Sequence, residues 1–302
     1  MTGADAGAVG AEVGDAAGTL LCIDVGNTQT ALTLYAAGRD EPAWEARVRT
    51  ERRATGDELA LTLRGLLGPR VGRVGGVAAL STVPALVREL RAMLERHFPD
   101  AEHVLVEPGV RTGVPLLVDN PKEIGADRVV QALAAYERVG GPCVVVDFGT
   151  STTVDAVSAR GEFLGGAIAA GIVVSAEGLA ARAAALRPVE LVAPRSALGR
   201  NTVESMQAGL VLGAAAQVDG LVTRIVAAMA DRDPALRDPG TRPVAVVASG
   251  GLAPLVVSEC TTPIDHVPDL TSRGLRSVFA RTRDAQAERA ARAARRARAG
   301  RS

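Results

Sequence analysis

The sequence of 302 residues contains very little lysine and few aromatic side chains. Lys122 is the single lysine, and the aromatic residues are one Trp, two Tyr and four Phe. Valine, leucine, isoleucine and alanine must therefore form the core, and base-stacking platforms for single-stranded nucleic acid are not expected. The formal net charge is zero, because 34 basic side chains balance 34 acidic ones. We therefore expect no specific nucleic-acid partner, since binding through bulk charge requires a basic excess.

Long apolar runs and a basic leader are also missing. No stretch of about 18 strongly apolar residues is found, so no membrane span is expected. The N-terminus is acidic and has no basic residue before Arg39, unlike a signal peptide. The three cysteines, Cys22, Cys143 and Cys260, lack metal-ligand spacing, and two of them lie in apolar runs. This pattern favours structural over catalytic thiols, in a protein of the reducing cytoplasm with no membrane partner.

The length predicts two domains, or one domain that is duplicated, at roughly 150 residues each. Residues 1–18 are Gly, Ala and acidic residues without periodicity, which predicts a disordered extension. Residues 281–302 carry eight arginines against Asp284 and Glu288, a net charge of +6. This basic Ala/Arg-rich tail is either a solvated helix or frayed segment, or a weak contact for an anion or RNA. The remaining chain divides near Gly140-Gly141-Pro142 into domains at 19–140 and 141–280.

Strand and helix patterns alternate between the two tails, which indicates an α/β fold. The turn at Gly26-Asn27-Thr28 lies between two apolar runs and predicts a hairpin. Thr55 is placed to cap the helix that follows it. The predicted strands are 19–25, 30–35, 74–80, 104–107, 143–147, a strand through 157, a strand through 168, and 244–248; the predicted helices are 57–67, 85–97, one ending near 139, and 204–228.

Two Asp-x-Gly elements, 123 positions apart, follow buried strands: Asp24-Val25-Gly26-Asn27-Thr28 and Asp147-Phe148-Gly149-Thr150. Glycine in such a turn allows backbone N–H groups to approach a phosphate closely, and the Asp can hold a cation or its water shell. A matched pair favours phosphate binding, with two structural hairpins as the alternative. The nucleotide is then expected between the two halves.

Other nucleotide-binding patterns are weaker or missing. Neither a P-loop nor a Rossmann glycine pattern follows any predicted strand. The turn at Ser249-Gly250-Gly251 follows a buried strand and could form a floor for the base or ribose, although routine turns look the same. His97, His103 and His266 have no common spacing, so a histidine triad or metal site is not expected.

A third segment, Asp119 to Arg128, begins a helix that runs to about Val139. Asp127 and Arg128 fall in the first turn, where the backbone amides favour an anion. A carboxylate beside an arginine could orient a hydroxyl while the arginine holds an acid group of the substrate. The alternative is a surface helix-start carboxylate paired with an arginine.

Together these residues resemble the type III pantothenate kinase family, of the acetate and sugar kinase/Hsp70/actin superfamily, over about residues 20–279. The matching segments are Ile23-Asp24-Val25-Gly26-Asn27-Thr28, Asn120-Pro121, Gly125-Ala126-Asp127-Arg128, Val146-Asp147-Phe148-Gly149-Thr150, Gly165-Gly166-Ala167-Ile168, Gly199-Arg200-Asn201-Thr202-Val203 and Gly250-Gly251-Leu252. The resemblance implies a duplicated actin-like, ribonuclease H-like α/β fold, with a nucleotide cleft between two similar domains. It also implies ATP-dependent phosphorylation of pantothenate to 4'-phosphopantothenate, the first step of coenzyme A biosynthesis.

The resemblance assigns roles by position. Asp127 is similar to the general base, and Asp147 to the ligand of an activating potassium or ammonium ion. The implied ATP-binding residues are Asp24, Val25, Gly26, Asn27, Thr28, Gln29, Thr30, Ala31 and Thr150. The implied pantothenate-binding residues are Gly125, Ala126, Asp127, Arg128 and Thr202. Mg²⁺ on the phosphates and a homodimer are further expectations of the resemblance.

The sequence departs from the family at several positions. Val118 stands where many members have a substrate-contacting Tyr, Ala170 replaces a Pro, and Ser151 replaces an Ala. The Leu-Pro pair of the family is interrupted here by an arginine, as Leu186-Arg187-Pro188. These departures leave a catalytically weak or inactive regulatory factor as an alternative function. A third hypothesis is another superfamily phosphotransferase, such as a sugar kinase.

Overall fold

A computed structural model describes residues 18–238 and 240–299 of the chain, so residues 1–17 of the predicted extension lie outside the described residues. The first of two compact units extends to Val106. Its elements are β1 (Thr19–Val25), β2 (Gln29–Tyr35), β3 (Trp44–Arg49), α1 (Gly56–Leu67), β4 (Val74–Ser81), α2 (Pro84–His97) and β5 (Glu102–Val106). Thr55 caps α1 as predicted, because its hydroxyl accepts from the Glu58 N–H while the Glu58 carboxylate accepts from the Thr55 N–H.

The second unit begins at Glu107. Its elements are α3 (Ala126–Val139), β6 (Cys143–Phe148), β7 (Ser151–Val157), β8 (Phe163–Ala170), α4 (Ile172–Arg182), α5 (Thr202–Gln207), α6 (Gly213–Arg232), β9 (Ala245–Ser249), α7 (Ala253–Val257), β10 (Asp265–His266) and α8 (Leu270–Ala299). Valines of β6 and β7 pack against Val218 and Val222 of α6, so the apolar stripe of that helix forms part of the core.

The two units contain sheets of the same design. The strand order is β3-β2-β1-β4-β5 in the first sheet and β8-β7-β6-β9-β10 in the second. In each sheet the neighbouring pairs among the first three strands of this order are antiparallel. The third, fourth and fifth strands of the order are parallel to one another. This repetition confirms the duplicated, actin-like α/β fold that the resemblance implies.

The contacts divide the chain at a different place from the sequence pattern. The predicted division lies at Gly140-Gly141, whereas the units divide between Val106 and Glu107. The reason is that α3 packs against α8, β6 and β7, all of which belong to the second unit. Packing, and not the glycine turn that ends α3, therefore decides to which unit the helix belongs.

Most predicted elements are present, and several short ones were not predicted. The missed elements are β3, α4, α7, β10 and the first part of α8, residues 270–280. The predicted helix 204–228 is divided into α5 and α6 by a π-helical segment, Ala208–Leu212. The basic tail is helical as far as Ala299, and the side chains of residues 283–294 are exposed.

One helical stretch, Thr202–Arg232, is long and apolar enough to cross a membrane by length and composition. This stretch contains the predicted helix 204–228, although no run of about 18 strongly apolar residues was expected in the chain. Length and composition are weak evidence, because a core helix of a soluble protein has the same properties. One face of α6 packs on β6 and β7, which fits a core helix.

Candidate active site

The loop between β1 and β2 is a tight turn with exposed polar residues. The Gly26 N–H donates to the carbonyl oxygen of Gln29 at 3.0 Å. A Cβ at Gly26 would lie only 2.9 Å from that same oxygen. Asn27, Thr28 and Gln29 are exposed. Glycine therefore allows the turn to close while amide and hydroxyl groups remain accessible.

Neighbouring segments fix the conformation of this loop. The Thr82 N–H donates to the carbonyl of Val25 at 3.0 Å. The side-chain amide of Asn27 donates to the Thr82 hydroxyl at 3.4 Å, and Arg52 Nε donates to the Asn27 carbonyl at 3.1 Å. The loop is thus held by residues that follow β3 and β4.

The predicted ATP-binding residues from Asp24 to Ala31 differ in exposure. Asp24 and Ala31 face each other in the strand register and are half-buried. Val25 and Thr30 are buried, and the Thr30 hydroxyl lies 2.9 Å from that of Thr50. Only the backbone of Val25 and Thr30 is therefore able to contact a ligand.

The loop between β6 and β7 has the equivalent position in the second sheet. The Gly149 N–H donates to the Ser151 carbonyl at 3.0 Å, and the Gly171 N–H donates to the Thr150 carbonyl at 3.1 Å. A Cβ at Gly171 would overlap the Gly149 carbonyl oxygen. Gly149 and Thr150 are exposed, so this turn also presents polar groups from a rigid support.

The turn at Ser249-Gly250-Gly251 packs against this second loop. Ser249 is buried and lies opposite Asp147 in the register of β9 and β6. Gly250 has φ +99°, and a Cβ there would lie 2.5 Å from the Phe148 carbonyl oxygen. Glycine is needed here for both conformation and space. The contact with base or ribose stays a prediction.

The start of α3 holds Asp127 against the backbone. Asn120 caps the short 3₁₀ turn that precedes the helix, and Gly125 is the residue before its first turn. A Cβ at Gly125 would overlap Asp127 Oδ1, so the carboxylate lies over this glycine. Burial raises the pKa of Asp127, against the opposing effects of the Arg128 backbone N–H, the Arg128 charge and its own N–H. Asp127 therefore has a higher affinity for a proton in this site than an aspartate has in water.

Arg128 pairs with Asp155, which was not among the predicted site residues. Its Nε donates to Asp155 Oδ2 at 3.0 Å, and its Nη2 donates to Asp155 Oδ1. The Asp155 side chain is buried and that of Arg128 is 12% exposed, so Arg128 is not paired with Asp127 on the surface, as the alternative interpretation held. Asp155 follows Val154 in β7, and an acidic residue in a buried strand is the signal that could have identified it.

Asp147 lies in an environment that disfavours its charge. Burial and the charge of Asp127 raise the pKa of Asp147 to about 6, while a hydrogen bond from Gln131 lowers it. Gln131 Nε2 donates to the Thr271 hydroxyl at 3.0 Å, and its buried Oε1 has no hydrogen-bond partner. A carboxylate and an unsatisfied carbonyl oxygen are the donors that a hard cation prefers. Within residues 18–238 and 240–299, no three His, Cys, Asp or Glu side chains form a metal cluster.

Thr202 lies in a groove between α4 and α5. Asn201 caps α5 by accepting from the Glu204 N–H at 2.9 Å. The groove has a volume of about 840 Å³. Its lining includes Leu179, Leu186 and Thr202, but none of the residues at the start of α3. The structure therefore places Thr202 in an apolar groove and leaves its predicted contact with substrate untested.

Two of the departures from the family pattern face each other. Ser151 lies opposite Ala170 in the register of β7 and β8. Val118 is half-buried, and a Cβ at Gly165 would lie 3.9 Å from its Cγ1. Leu186, the first residue of the displaced segment, lines the groove. The departures thus cluster around β8 and α4.

The histidines make separate contacts. His97 Nε2 lies 2.8 Å from Asp57 Oδ1, and His103 Nδ1 lies 3.3 Å from the carbonyl oxygen of Ala101. His266 belongs to β10.

All three cysteines are free thiols. Cys22 and Cys143 are buried in strands, as predicted, and Cys260 is half-buried. Burial raises the pKa of Cys143 to about 12 and that of Cys260 to about 11. Neither of these two thiols is therefore set up as a nucleophile at neutral pH.

Comparison with known proteins identifies the family. The sequence profile described as type III pantothenate kinase matches residues 20–224. Two relatives with that name, from Saccharopolyspora erythraea and Rhodococcus erythropolis, are 59% and 57% identical; each match covers 87% of this chain and 98% or 95% of the relative. A solved Campylobacter jejuni protein, named as a member of the Baf family of transcriptional activators, has a TM-score of 0.54 at 14% identity, covering 87% of this chain and 99% of that one, and shows the fold alone. The chain belongs to the type III pantothenate kinase family.

Proposed function

We propose that this protein transfers a phosphoryl group from ATP to the primary hydroxyl of pantothenate, giving 4'-phosphopantothenate, in the first step of coenzyme A biosynthesis. Family membership supports the reaction. The observation that carries the mechanism is the half-buried carboxylate of Asp127 at the N-terminus of α3, whose raised pKa suits proton transfer.

Asp127 acts as the general base. In its ionised form it accepts the proton of the attacking hydroxyl as the bond from that oxygen to the γ-phosphorus forms and the bond from the γ-phosphorus to the leaving ADP breaks. Its contacts with backbone N–H groups hold the carboxylate at one place over Gly125. Positioning of the hydroxyl and neutralisation of phosphate charge supply the remaining rate enhancement.

ATP is bound by the Asp-x-Gly loops, one in each unit. In the first loop the exposed side chains of Asn27, Thr28 and Gln29 donate to phosphate oxygens, and Gly26 allows close backbone approach. Thr150 performs the same task in the second loop. The Asp24 carboxylate suits Mg²⁺, which accompanies ATP and offsets the charge of its phosphates.

Pantothenate is bound by the start of α3. Gly125 and Ala126 leave space at the helix N-terminus, and Arg128 supplies the positive charge for the carboxylate of the substrate. Thr202, at the start of α5, adds a hydroxyl contact.

A monovalent cation, potassium or ammonium, binds at Asp147. Its carboxylate and the unpartnered Oε1 of Gln131 provide oxygen donors, and the cation would offset the charge that burial disfavours. The test is turnover in potassium, ammonium and a large organic cation at equal ionic strength. Activity that is equal in all three would contradict this part of the proposal.

The protein acts as a cytoplasmic homodimer. Apolar side chains that remain exposed in β8, α4 and α5 support a dimer, among them Ile168, Leu179 and Val203. The three free cysteines fit a reducing compartment.

The decisive experiment measures ADP release with MgATP and pantothenate for the wild-type protein and for Asp127→Asn. We expect pantothenate-dependent turnover, and a fall in kcat of about 10²- to 10⁴-fold in the variant with unchanged ATP affinity. Asp119→Asn, at an exposed position of the same segment, is the matched control. ATP binding without turnover would favour the regulatory alternative, and stimulation by a sugar alone would favour a sugar kinase.

A further inference from the structure

The ion pair between Arg128 and Asp155 uses one particular edge of the guanidinium. Asp155 accepts from Nε through Oδ2 and from Nη2 through Oδ1. The exposed fraction is 1% for the Asp155 side chain and 12% for that of Arg128. The carboxylate therefore occupies the Nε–Nη2 edge, inside the protein, while Arg128 keeps some access to solvent.

Residues on two sides restrict the Arg128–Asp155 pair. Gly166 lies opposite Asp155 in the register of β7 and β8, and a Cβ at Gly166 would overlap Asp155 Oδ1. The Arg128 Cζ lies 5.4 Å from the centroid of the fully buried Phe163 ring. The guanidinium is thus fixed along one edge by a carboxylate and over one face by an aromatic ring.

The free edge of the guanidinium has a defined chemistry. Arginine has five N–H donors in a planar fork. Asp155 uses the Nε donor and one Nη2 donor, which leaves both Nη1 donors and the second Nη2 donor. The Nη1–Nη2 edge matches a carboxylate that binds through two parallel hydrogen bonds.

We propose that Asp155 is a positioning residue: it orients Arg128 so that the Nη1–Nη2 edge receives the carboxylate of the acid substrate. This inference rests on the proposed function, because it takes pantothenate as the acid. It also explains why Arg128 does not pair with its neighbour Asp127. Because Arg128 is paired with Asp155, the Asp127 carboxylate remains available to accept the proton of the substrate hydroxyl.

The test compares two substrates that differ only in the group that Arg128 would bind. Pantothenol has an alcohol in place of the pantothenate carboxylate and keeps the reacting hydroxyl. In Asp155→Asn, we expect kcat/KM for pantothenate to fall about 10- to 100-fold, chiefly through KM, because a charge-assisted contact is lost. The kcat/KM for pantothenol and the KM for ATP stay within about twofold of wild type, since neither depends on this contact.

Glu162→Gln is the matched control, because it removes the ion pair with the exposed Arg160, near the same two strands but without a contact to Arg128 or Asp155. We expect it to change neither substrate's kinetics. Equal losses on pantothenate and pantothenol in Asp155→Asn would overturn the inference, since a merely structural carboxylate affects both. Absence of pantothenate turnover in the wild-type protein would instead overturn the proposed function, and this inference with it.

If Asp155→Asn does not fold, Asp155→Glu tests the same orientation. It keeps the negative charge but moves the carboxylate that holds Arg128 Nε and Nη2 by one methylene. We expect a selective fall in kcat/KM for pantothenate. Wild-type kinetics on both substrates, or equal losses on both, would overturn the inference.

Discussion

The carboxylate of Asp127 differs from an exposed aspartate in its affinity for a proton. Burial raises its pKa above the ordinary value of 3.8. Because the base must be ionised to accept a proton, activity is lost as pH falls through this raised pKa. We therefore expect the acidic limb of kcat/KM for pantothenate to lie above pH 3.8, measured with saturating ATP across a range in which the protein stays folded.

The residual activity of Asp127→Asn provides the control for this pH dependence. Asparagine does not titrate, so its residual rate should lack the acidic limb. An identical limb in the variant would assign the titration to another group and contradict the role of Asp127 as base.

Val118 offers a gain-of-function test at the position where many members of the family have Tyr. A valine donates no hydrogen bond, and its side chain is half-buried beside β8. A hydroxyl there adds one contact of about 0.5–1.5 kcal/mol. Val118→Tyr should therefore lower KM for pantothenate by at most about tenfold, with kcat nearly unchanged.

Val118→Phe is the matched comparison, because it adds the ring without the hydroxyl. We expect no improvement in KM from Phe. An equal improvement with both rings would show that apolar contact, and not hydrogen bonding, is responsible.

Some residues of the candidate site could be predicted from the sequence and others could not. Asp127 and Arg128 could be singled out because they are adjacent at a helix start. Asp155 is marked locally only as an acidic residue in a buried strand, and its pairing with Arg128 is not visible in the sequence. Gln131 has no local signal and becomes informative only through its contact with Thr271. Hydrogen-bond partners 27 and 140 positions apart leave no local pattern.

At the scale of elements, Asp219 connects α6 to the loop after α7. Its carboxylate accepts from the Thr261 N–H at 2.8 Å, the Thr261 hydroxyl at 2.7 Å and the Thr262 N–H at 2.9 Å. Burial opposes ionisation, but these hydrogen bonds outweigh it and lower the pKa of Asp219 to about 2. The carboxylate therefore acts as a clamp for this loop.

Asp219→Ala should lower the free energy of unfolding by about 1–3 kcal/mol at pH 7, measured by urea denaturation. A lowered pKa gives stability that is present above the ordinary value of 3.8 and is lost as pH falls toward 2. The difference between wild type and variant should therefore shrink across that window.

Asp231→Ala is the control for the clamp, because Asp231 lies in the same helix and makes only an exposed ion pair with Arg237. We expect a change within about 0.5 kcal/mol. Equal losses in the free energy of unfolding for both variants would contradict a stabilising role for the hydrogen bonds of Asp219 with Thr261 and Thr262.

Elements with a strong pattern could be predicted, and those with a weak one could not. The capping box at Thr55 and the apolar stripe of α1 identify that helix from local sequence. By contrast, β3 is an edge strand that buries none of its side chains fully, and α4 buries only Ile172. Trp44, Ala46 and Val48 of β3 alternate with charged residues, so this strand has a period of two that is visible in the sequence but lacks fully buried positions. With one buried residue, α4 has no well-defined buried face from which to predict it.

For the whole molecule, duplication could be predicted but its boundary could not. The repeated Asp-x-Gly turn is local and therefore visible in sequence. The boundary depends on the packing of α3 against α8, whose first residue lies 131 positions after the end of α3. Contacts of that range, such as Gln131 with Thr271, are determined by the folded chain alone.

The proposed homodimer can be tested through exposed apolar residues of the second unit. Ile168 in β8 is 65% exposed and Leu179 in α4 is 41% exposed. A charge placed at a dimer interface must be desolvated without a partner, which disfavours association. Ile168→Asp and Leu179→Asp should each shift the protein from dimer toward monomer in sedimentation velocity experiments.

Leu61→Asp is the matched control, because Leu61 in α1 is 76% exposed and belongs to the first unit. We expect this variant to sediment like the wild-type protein, since the apolar residues that support the dimer lie in β8, α4 and α5. A wild-type protein that is monomeric at micromolar concentration would contradict the dimer outright. Dissociation by Leu61→Asp alone would place the interface on α1 instead.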